Sequence, residues 1–320
     1  MFCSFWSFFD DFCRYFRSYF ICTHCHSSRR NVVDYRRAIL HVSTIEKEGG
    51  LDINKLLSVN ELNFSWGTNH VLKDISFSVG KNEIVSLLGT NGAGKSTLIK
   101  CLNRILSPQS GQIEIKDYDI TNIDLIELSK LMSYVPQSVR ASFSMDVFDV
   151  VLLGRRPHIT WRISPEDREK VSETIRYLGL EDFSFRKFDE ISGGERQRVI
   201  IAKAVAQDPD LYLFDEPTSD LDLKNQIQIM KKIKDLVSVN NSGKSALIAI
   251  HDINIAARFS DKIILLYEGR IKAYGTPEEV LTQQNIAEVF GVSCELIDAT
   301  ENSHLRILIN DEIINSKIDD

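Results

Sequence analysis

The chain lacks any run of about 18 consecutive apolar residues, the length a membrane-crossing helix requires, so a soluble or peripherally bound protein is expected. Cysteine is scarce beyond the amino-terminal end: of six, only Cys101 and Cys294 lie outside the first 25 residues. That distribution provides no disulfide framework and suits a reducing compartment. No block of like charge stands out and the net charge is −7, so there is no basic footprint for nucleic acid and none is expected as a partner. What is plentiful is apolar side chain: 43% hydrophobic residues in a chain of 320 support a sizeable core, two globular units and an extension.

The densest local signal is Gly89-Thr90-Asn91-Gly92-Ala93-Gly94-Lys95-Ser96-Thr97. It follows the apolar run Ile84–Leu88 and precedes Leu98, Cys101, Leu102, Ile105 and Leu106, spaced as one helical face that Ser107-Pro108 should end. Strand, glycine loop and helix are the context that gives the spacing G-x-x-x-x-G-K-S its meaning as a Walker A loop. Backbone N–H groups converge on phosphate oxygens, Lys95 supplies a point charge, Ser96 offers a hydroxyl to Mg²⁺, and the helix adds its positive end. Gly243-Lys244-Ser245 repeats the tripeptide, but Ser238 stands where the first glycine should be, and it is discarded.

Residues 1–22 hold ten of the 29 aromatics, with Phe2, Phe5, Trp6, Phe9, Phe12, Phe16 and Tyr19 on one helical face. With Arg29, Arg30, Arg36 and Arg37 beyond, this reads either as an interfacial helix on an anionic membrane or as a leader outside the working protein, whose start would then lie near Leu51 to Leu56. The second reading needs a non-AUG start, because no methionine falls between Met1 and Met132. Cys22-Thr23-His24-Cys25-His26 matches a haem-attachment pattern, but that requires export; a zinc half-site using Cys13 lacks its second pair.

From Leu56 onward, Leu57, Val59, Leu62 and Phe64, then Val71, Ile75, Phe77 and Val79, read as strands of an antiparallel layer. Trp66, at the end of the first, either stacks on an adenine ring or is an ordinary strand-end aromatic; position leaves both open. Strands are expected at Gly111–Ile115 and at Leu131–Val135, which leads into Pro136-Gln137, and helical spacing from there to about Asp189 reads as an insertion. It ends at Ile191-Ser192-Gly193-Gly194-Glu195-Arg196-Gln197. Ser192 and Glu195 are spaced as a capping box, with Val199, Ile200, Ala202 and Val205 continuing the apolar face. A helix start does not account for two adjacent glycines, whereas a second anion site does. Two phosphate sites and one obvious nucleotide pocket suggest a head-to-tail dimer, each chain covering the nucleotide of the other.

Leu211-Tyr212-Leu213-Phe214 reads as a buried parallel strand that ends in Asp215-Glu216, where open α/β sheets bind ligands. Asp215 is placed for the Mg²⁺ shell and Glu216 for the attacking water. A further buried strand, Ala246–Ile250, brings His251 to the same edge, and a hairpin from Ile263 to Tyr274 closes the core.

Taken in order, these residues resemble the nucleotide-binding subunit of an ABC transporter over residues 57 to about 283. The resemblance implies a Walker A at Gly89–Thr97, a Q-loop at Gln137, a signature at Ile191–Gln197, a Walker B at Leu211–Glu216, a D-loop at Ser219–Asp222 and a switch at His251. Ile191 stands where the family more often has leucine, Glu195 where it has glutamine, and Trp66 where it has tyrosine. Val150–His158 and Val289–Val292 are similar to importers of iron–siderophore, haem and cobalamin complexes. The fold implied is α/β: a P-loop NTPase core with a mainly parallel sheet, an antiparallel β subdomain and an inserted helical subdomain at about 137–205. Residues 1–55 form an extension, 56–283 the ATPase domain and 284–320 a tail, in which Leu305, Ile307 and Ile309 alternate as in a small hairpin. The activity implied is ATP hydrolysis with ATP and Mg²⁺ (Ser96, Gln137 and Asp215 as its ligands), with Glu216, His251 and Lys95 catalytic. Implied partners are a second copy, a polytopic permease and, indirectly, an extracytoplasmic substrate-binding protein, at the cytoplasmic face of the membrane. Two other classes share parts of the pattern: a soluble ABC-type ATPase of an assembly or repair machine, and a P-loop kinase of small molecules, in which Ser192–Glu195 would have no role.

Overall fold

Alternating apolar and polar residues build two long antiparallel strands, β1 (Lys55–Trp66) and β2 (Asn69–Gly80), turned at Gly67-Thr68. The next run, β3 (Ile84–Leu88), is buried at every position and ends at the phosphate loop, from which α1 (Lys95–Leu102) starts. After it come β4 (Ser110–Ile115), β5 (Tyr118–Asp119), α2 (Leu125–Leu131) and β6 (Met132–Val135). Three helices follow: α3 (Val147–Leu152), α4 (Pro165–Leu178) and α5 (Gly193–Ala206). Strands and helices then alternate through β7 (Leu211–Asp215), α6 (Leu223–Ser238), β8 (Ser245–Ala249) and α7 (Ile253–Phe259) to the hairpin β9 (Lys262–Tyr267) and β10 (Arg270–Gly275). The last elements are α8 (Pro277–Val280), α9 (Gln283–Phe290), β11 (Val292–Ile297) and β12 (Arg306–Glu312). This computed structural model describes residues 54–138, 144–219, 221–238, 243–300 and 304–313. The aromatic leader, the Cys22–His26 cluster and Asp220 of the D-loop lie outside the described residues.

The central sheet has the order β10-β9-β3-β8-β7-β6, parallel except for the β9/β10 pair. A second sheet, β2-β1-β4-β5, is wholly antiparallel, so the expected α/β class with its antiparallel layer and helical insertion is observed. Period-two packing divides each central strand between two cores. In β7, Leu211 and Leu213 join the cluster beneath β1, β2 and α1, while Tyr212 and Phe214 join the one beneath α5 and α6. Burial on both faces is why these strands read as continuous apolar runs.

Ser164 and Asp167 form a capping box at α4, and Gly179 ends that helix in the left-handed region. One expectation fails: the helix after the phosphate loop stops at Leu102, four residues before Leu106. Arg104 adopts φ 54°, and its guanidinium donates to the carbonyls of Ile120 (2.8 Å) and Ile123 (2.6 Å). A backbone turned that way cannot extend the helix, so Ile105 and Leu106 are half-buried outside it. Gly154, in the turn after α3, sits so close to α5 that an added Cβ would lie 2.1 Å from the Lys203 carbonyl oxygen. Gly154→Ala should therefore push two backbones apart and cost about 2 kcal/mol, read as a lower urea midpoint at unchanged slope; an unaltered midpoint would contradict this packing.

Candidate active site

The phosphate loop leaves β3 through a gap only glycine fits. Gly89 has φ 153°, and a Cβ there would lie 2.3 Å from the Leu266 carbonyl oxygen on β9. Gly94 caps α1 with no side-chain acceptor, so the first N–H groups of that helix are left for an anion. Lys95 is 5% exposed, and its ammonium donates to the carbonyls of Gly89 (2.8 Å) and Thr90 (3.1 Å). Burial lowers its pKa, while the nearby Glu216 and Asp215 carboxylates favour its charge.

In front of the loop is a cleft of about 520 Å³. Asn91, Gly92, Gly94, Lys95, Ser96 and Thr97 line it on one side, Gln137, Glu216 and His251 on the other, and Val71 from β2 closes it. Asp215 is not among the lining residues; it lies behind Ser96, whose hydroxyl donates to Oδ1 at 2.8 Å, and Tyr134 donates to Oδ2 at 3.4 Å. Burial raises the Asp215 pKa; Ser96, Lys100 and Tyr134 oppose that rise and Glu216 adds to it. A buried carboxylate beside a hydroxyl supplies the hard oxygen donors that Mg²⁺ takes, and a cation there would relieve the cost of burying the charge, so the residues fit that ion.

Glu216 is 7% exposed and adopts φ 54°, a conformation uncommon outside glycine and frequent at functional positions. Both of its carboxylate oxygens are engaged. Gln137 Nε2 donates to Oε2 at 2.6 Å, and His251 Nε2 pairs with Oε1. The Glu216 N–H donates to Ala249 at the end of β8, fixing the turn.

The remaining candidates lie elsewhere. Trp66 is 57% exposed, packs edge-on against Phe64 at 5.1 Å and does not line the cleft. Ala93 is buried inside the loop. Ser192, Gly193, Gly194 and Glu195 open α5 outside the cleft; Ser192 Oγ accepts the Glu195 N–H and Glu195 Oε2 accepts the Ser192 N–H at 2.8 Å, completing the capping box. Those bonds lower the Glu195 pKa. Ser192 and Gly193 are exposed, and a Cβ on Gly193 would meet nothing within 4 Å, so nothing described in this chain demands glycine there. Sequence reasoning missed Val71 and Tyr134, an ordinary strand valine and tyrosine with no motif around them.

Phosphate loop, buried acid pair and strand-end histidine define a P-loop nucleoside triphosphatase. The ABC transporter family model matches residues 72–219. An uncharacterized ABC transporter ATP-binding protein of Methanocaldococcus jannaschii is 47% identical over 74% of this chain and 92% of its own. The iron(3+)-hydroxamate import ATP-binding protein of Bacillus subtilis is 34% identical over 82% of this chain and 97% of its own. Among solved structures, an inward-facing protein described as a metal-chelate type ABC transporter superposes with a TM-score of 0.70 at 30% identity, covering 81% of this chain and 98% of that one. The chain belongs to the ABC transporter ATP-binding proteins, and it is an ATPase.

Because burial raises the Asp215 carboxyl, the native protein holds a proton there more readily than the unfolded chain. That group's contribution to stability therefore falls as pH rises from the ordinary carboxylate range through the raised native value. Asp215→Asn should stabilise the nucleotide-free protein at neutral pH by about 1 kcal/mol and flatten this decline, while weakening Mg²⁺-dependent ATP binding. Urea titrations across pH and nucleotide titrations with and without Mg²⁺ check both arms; a less stable variant at neutral pH would contradict the assignment of cost to Asp215.

Proposed function

We propose that this chain is the ATP-hydrolysing subunit of an importer that takes up a metal chelate of the iron–siderophore, haem or cobalamin type. The carrying observation is the Glu216 carboxylate held between Gln137 and His251, across one cleft from Lys95 and Ser96. The import name of the Bacillus relative and the metal-chelate type of the structural neighbour support the class of cargo and favour an importer over a soluble machine. Residues 56–283 are the ATPase domain and 284–320 its tail.

In this reading the loop amides and Lys95 bind the β- and γ-phosphates, and Ser96 and Asp215, with Gln137 close by, hold Mg²⁺. The ion, when bound, neutralises phosphate charge. Glu216 accepts hydrogen-bonded water and takes its proton as the water oxygen attacks the γ-phosphorus and the bond to the ADP oxygen breaks. His251 donates to the γ-phosphate as charge builds on it. Trp66 stacks on the adenine from outside the cleft. The Ser192–Glu195 turn, exposed at Ser192 and Gly193, covers the nucleotide of a second, head-to-tail copy, which accounts for a glycine that nothing described in its own chain requires. Among the described residues no helix is long and apolar enough to cross a membrane. The paired chains act on a polytopic permease from the cytoplasmic face, and through it on cargo delivered by an extracytoplasmic binding protein.

Glu216→Gln should retain ATP binding, lower hydrolysis about a hundredfold or more and accumulate an ATP-dependent dimer in size-exclusion chromatography; wild-type turnover would sink the assignment. Gly193→Ala should leave folding stability within about 0.5 kcal/mol yet lower hydrolysis at least about tenfold, because the added methyl meets only the partner's nucleotide. Unchanged hydrolysis in that variant counts against the shared site.

A further inference from the structure

The segment that carries His251 is held from two sides. On the cleft side His251 pairs with Glu216, although its own side chain is 45% exposed. The next residue, Asp252, caps α7, its Oδ1 accepting the N–H groups of Asn254 (2.8 Å) and Ile255 (3.0 Å). A helix of seven residues does not hold its own shape in water, so its orientation depends on what it packs against. Ile253, Ile255 and Phe259 face the core. The outer side is tied down by Asn254: its Nδ2 donates to the Ile307 carbonyl at 3.1 Å, and the Ile307 N–H donates to its Oδ1 at 2.8 Å.

This two-point pairing is what a neighbouring strand would offer to the free edge of β12. It satisfies both outward backbone groups of Ile307, and only one orientation of the amide allows it. The hairpin β11/β12 is a sheet of two strands and needs external support. It receives that support from Cys294, Leu305 and Ile307, which join the core cluster of α7, and from Asn254. The pairing lies three residues beyond His251 and fixes both the distance and the rotation of the first turn of α7.

We infer that Asn254 is a positioning residue for ATP hydrolysis, latching the His251 segment to the carboxy-terminal hairpin. The hairpin is then the back support of the switch. This rests on the reading of His251 as a group that acts on the γ-phosphate.

The test uses the full chain carrying Asn254→Ala or His251→Ala. It combines steady-state kinetics, amide exchange at Ile307 and NMR of the histidine ring protons, with His70 and His158 as internal references. Asn254→Ala should speed exchange at Ile307, lower kcat about tenfold with KM for ATP changed less than about twofold, and shift or broaden the His251 resonance alone of those three. Asn254 is exposed and alanine favours helix, so the variant should fold; Asn254→Asp, which keeps the acceptor but sets a carboxylate against the Ile307 carbonyl, should fall between wild type and Asn254→Ala in kcat. Faster exchange with unaltered kcat overturns the inference, as does a fall in kcat with the His251 resonance unmoved, or unchanged exchange. Full activity in His251→Ala overturns the reading of the site and the inference with it, whereas a dead His251→Ala beside a fully active Asn254→Ala overturns the inference alone.

Discussion

The parallel register of three strands sets everything else. Leu87 on β3 stands level with Ala249 on β8, and Ala249 with Asp215 on β7. The chain therefore leaves all three strands at one edge of the sheet, delivering the phosphate loop, His251 and Glu216 to the same cleft. Because every residue of these strands is buried, a slip of one position would move each side chain to the wrong core, and packing energy enforces the alignment of the chemistry. The short turn after β7 then splits the acid pair. Asp215 points back to Ser96, and Glu216, in the left-handed region, faces the cleft between Gln137 and His251.

Much of this was legible in the chain itself, because the features that carry it are local. Apolar runs of five residues, a glycine loop with fixed spacing and acids directly after a buried strand all announce themselves without long-range information. What was illegible depends on distant partners. The helix after the phosphate loop keeps its apolar spacing to Leu106, yet ends at Leu102 because Arg104 finds two carbonyls that only the fold brings near. Tyr134 and Val71 read only as strand residues, and it is the fold that brings them to the site. The pairing of Asn254 with Ile307 joins residues 53 apart, and no spacing rule anticipates it.

Ser192–Glu195 shows how one stretch can satisfy a local rule and still carry a second meaning. The capping box forms as the spacing suggests and by itself accounts for the serine and the glutamate. It does not account for the glycines: at Gly194 an added Cβ would come within 3.1 Å of Leu221, whereas at Gly193 it would meet open space. A glycine whose added Cβ would meet none of the described residues leaves room for something that arrives from outside. In the proposed dimer that is the nucleotide of a second copy, so each chain holds two halves of different sites.

Mixing two inactive variants is the sharpest check on the shared site. Lys95→Ala removes the phosphate-loop charge and Ser192→Arg blocks the signature turn, so each homodimer has no intact site. A mixed dimer pairs the sound loop of one chain with the sound turn of the other, and the mixture should recover up to about a quarter of wild-type hydrolysis. A mixture no more active than either variant alone would show that each chain carries its whole site, and would contradict the head-to-tail dimer.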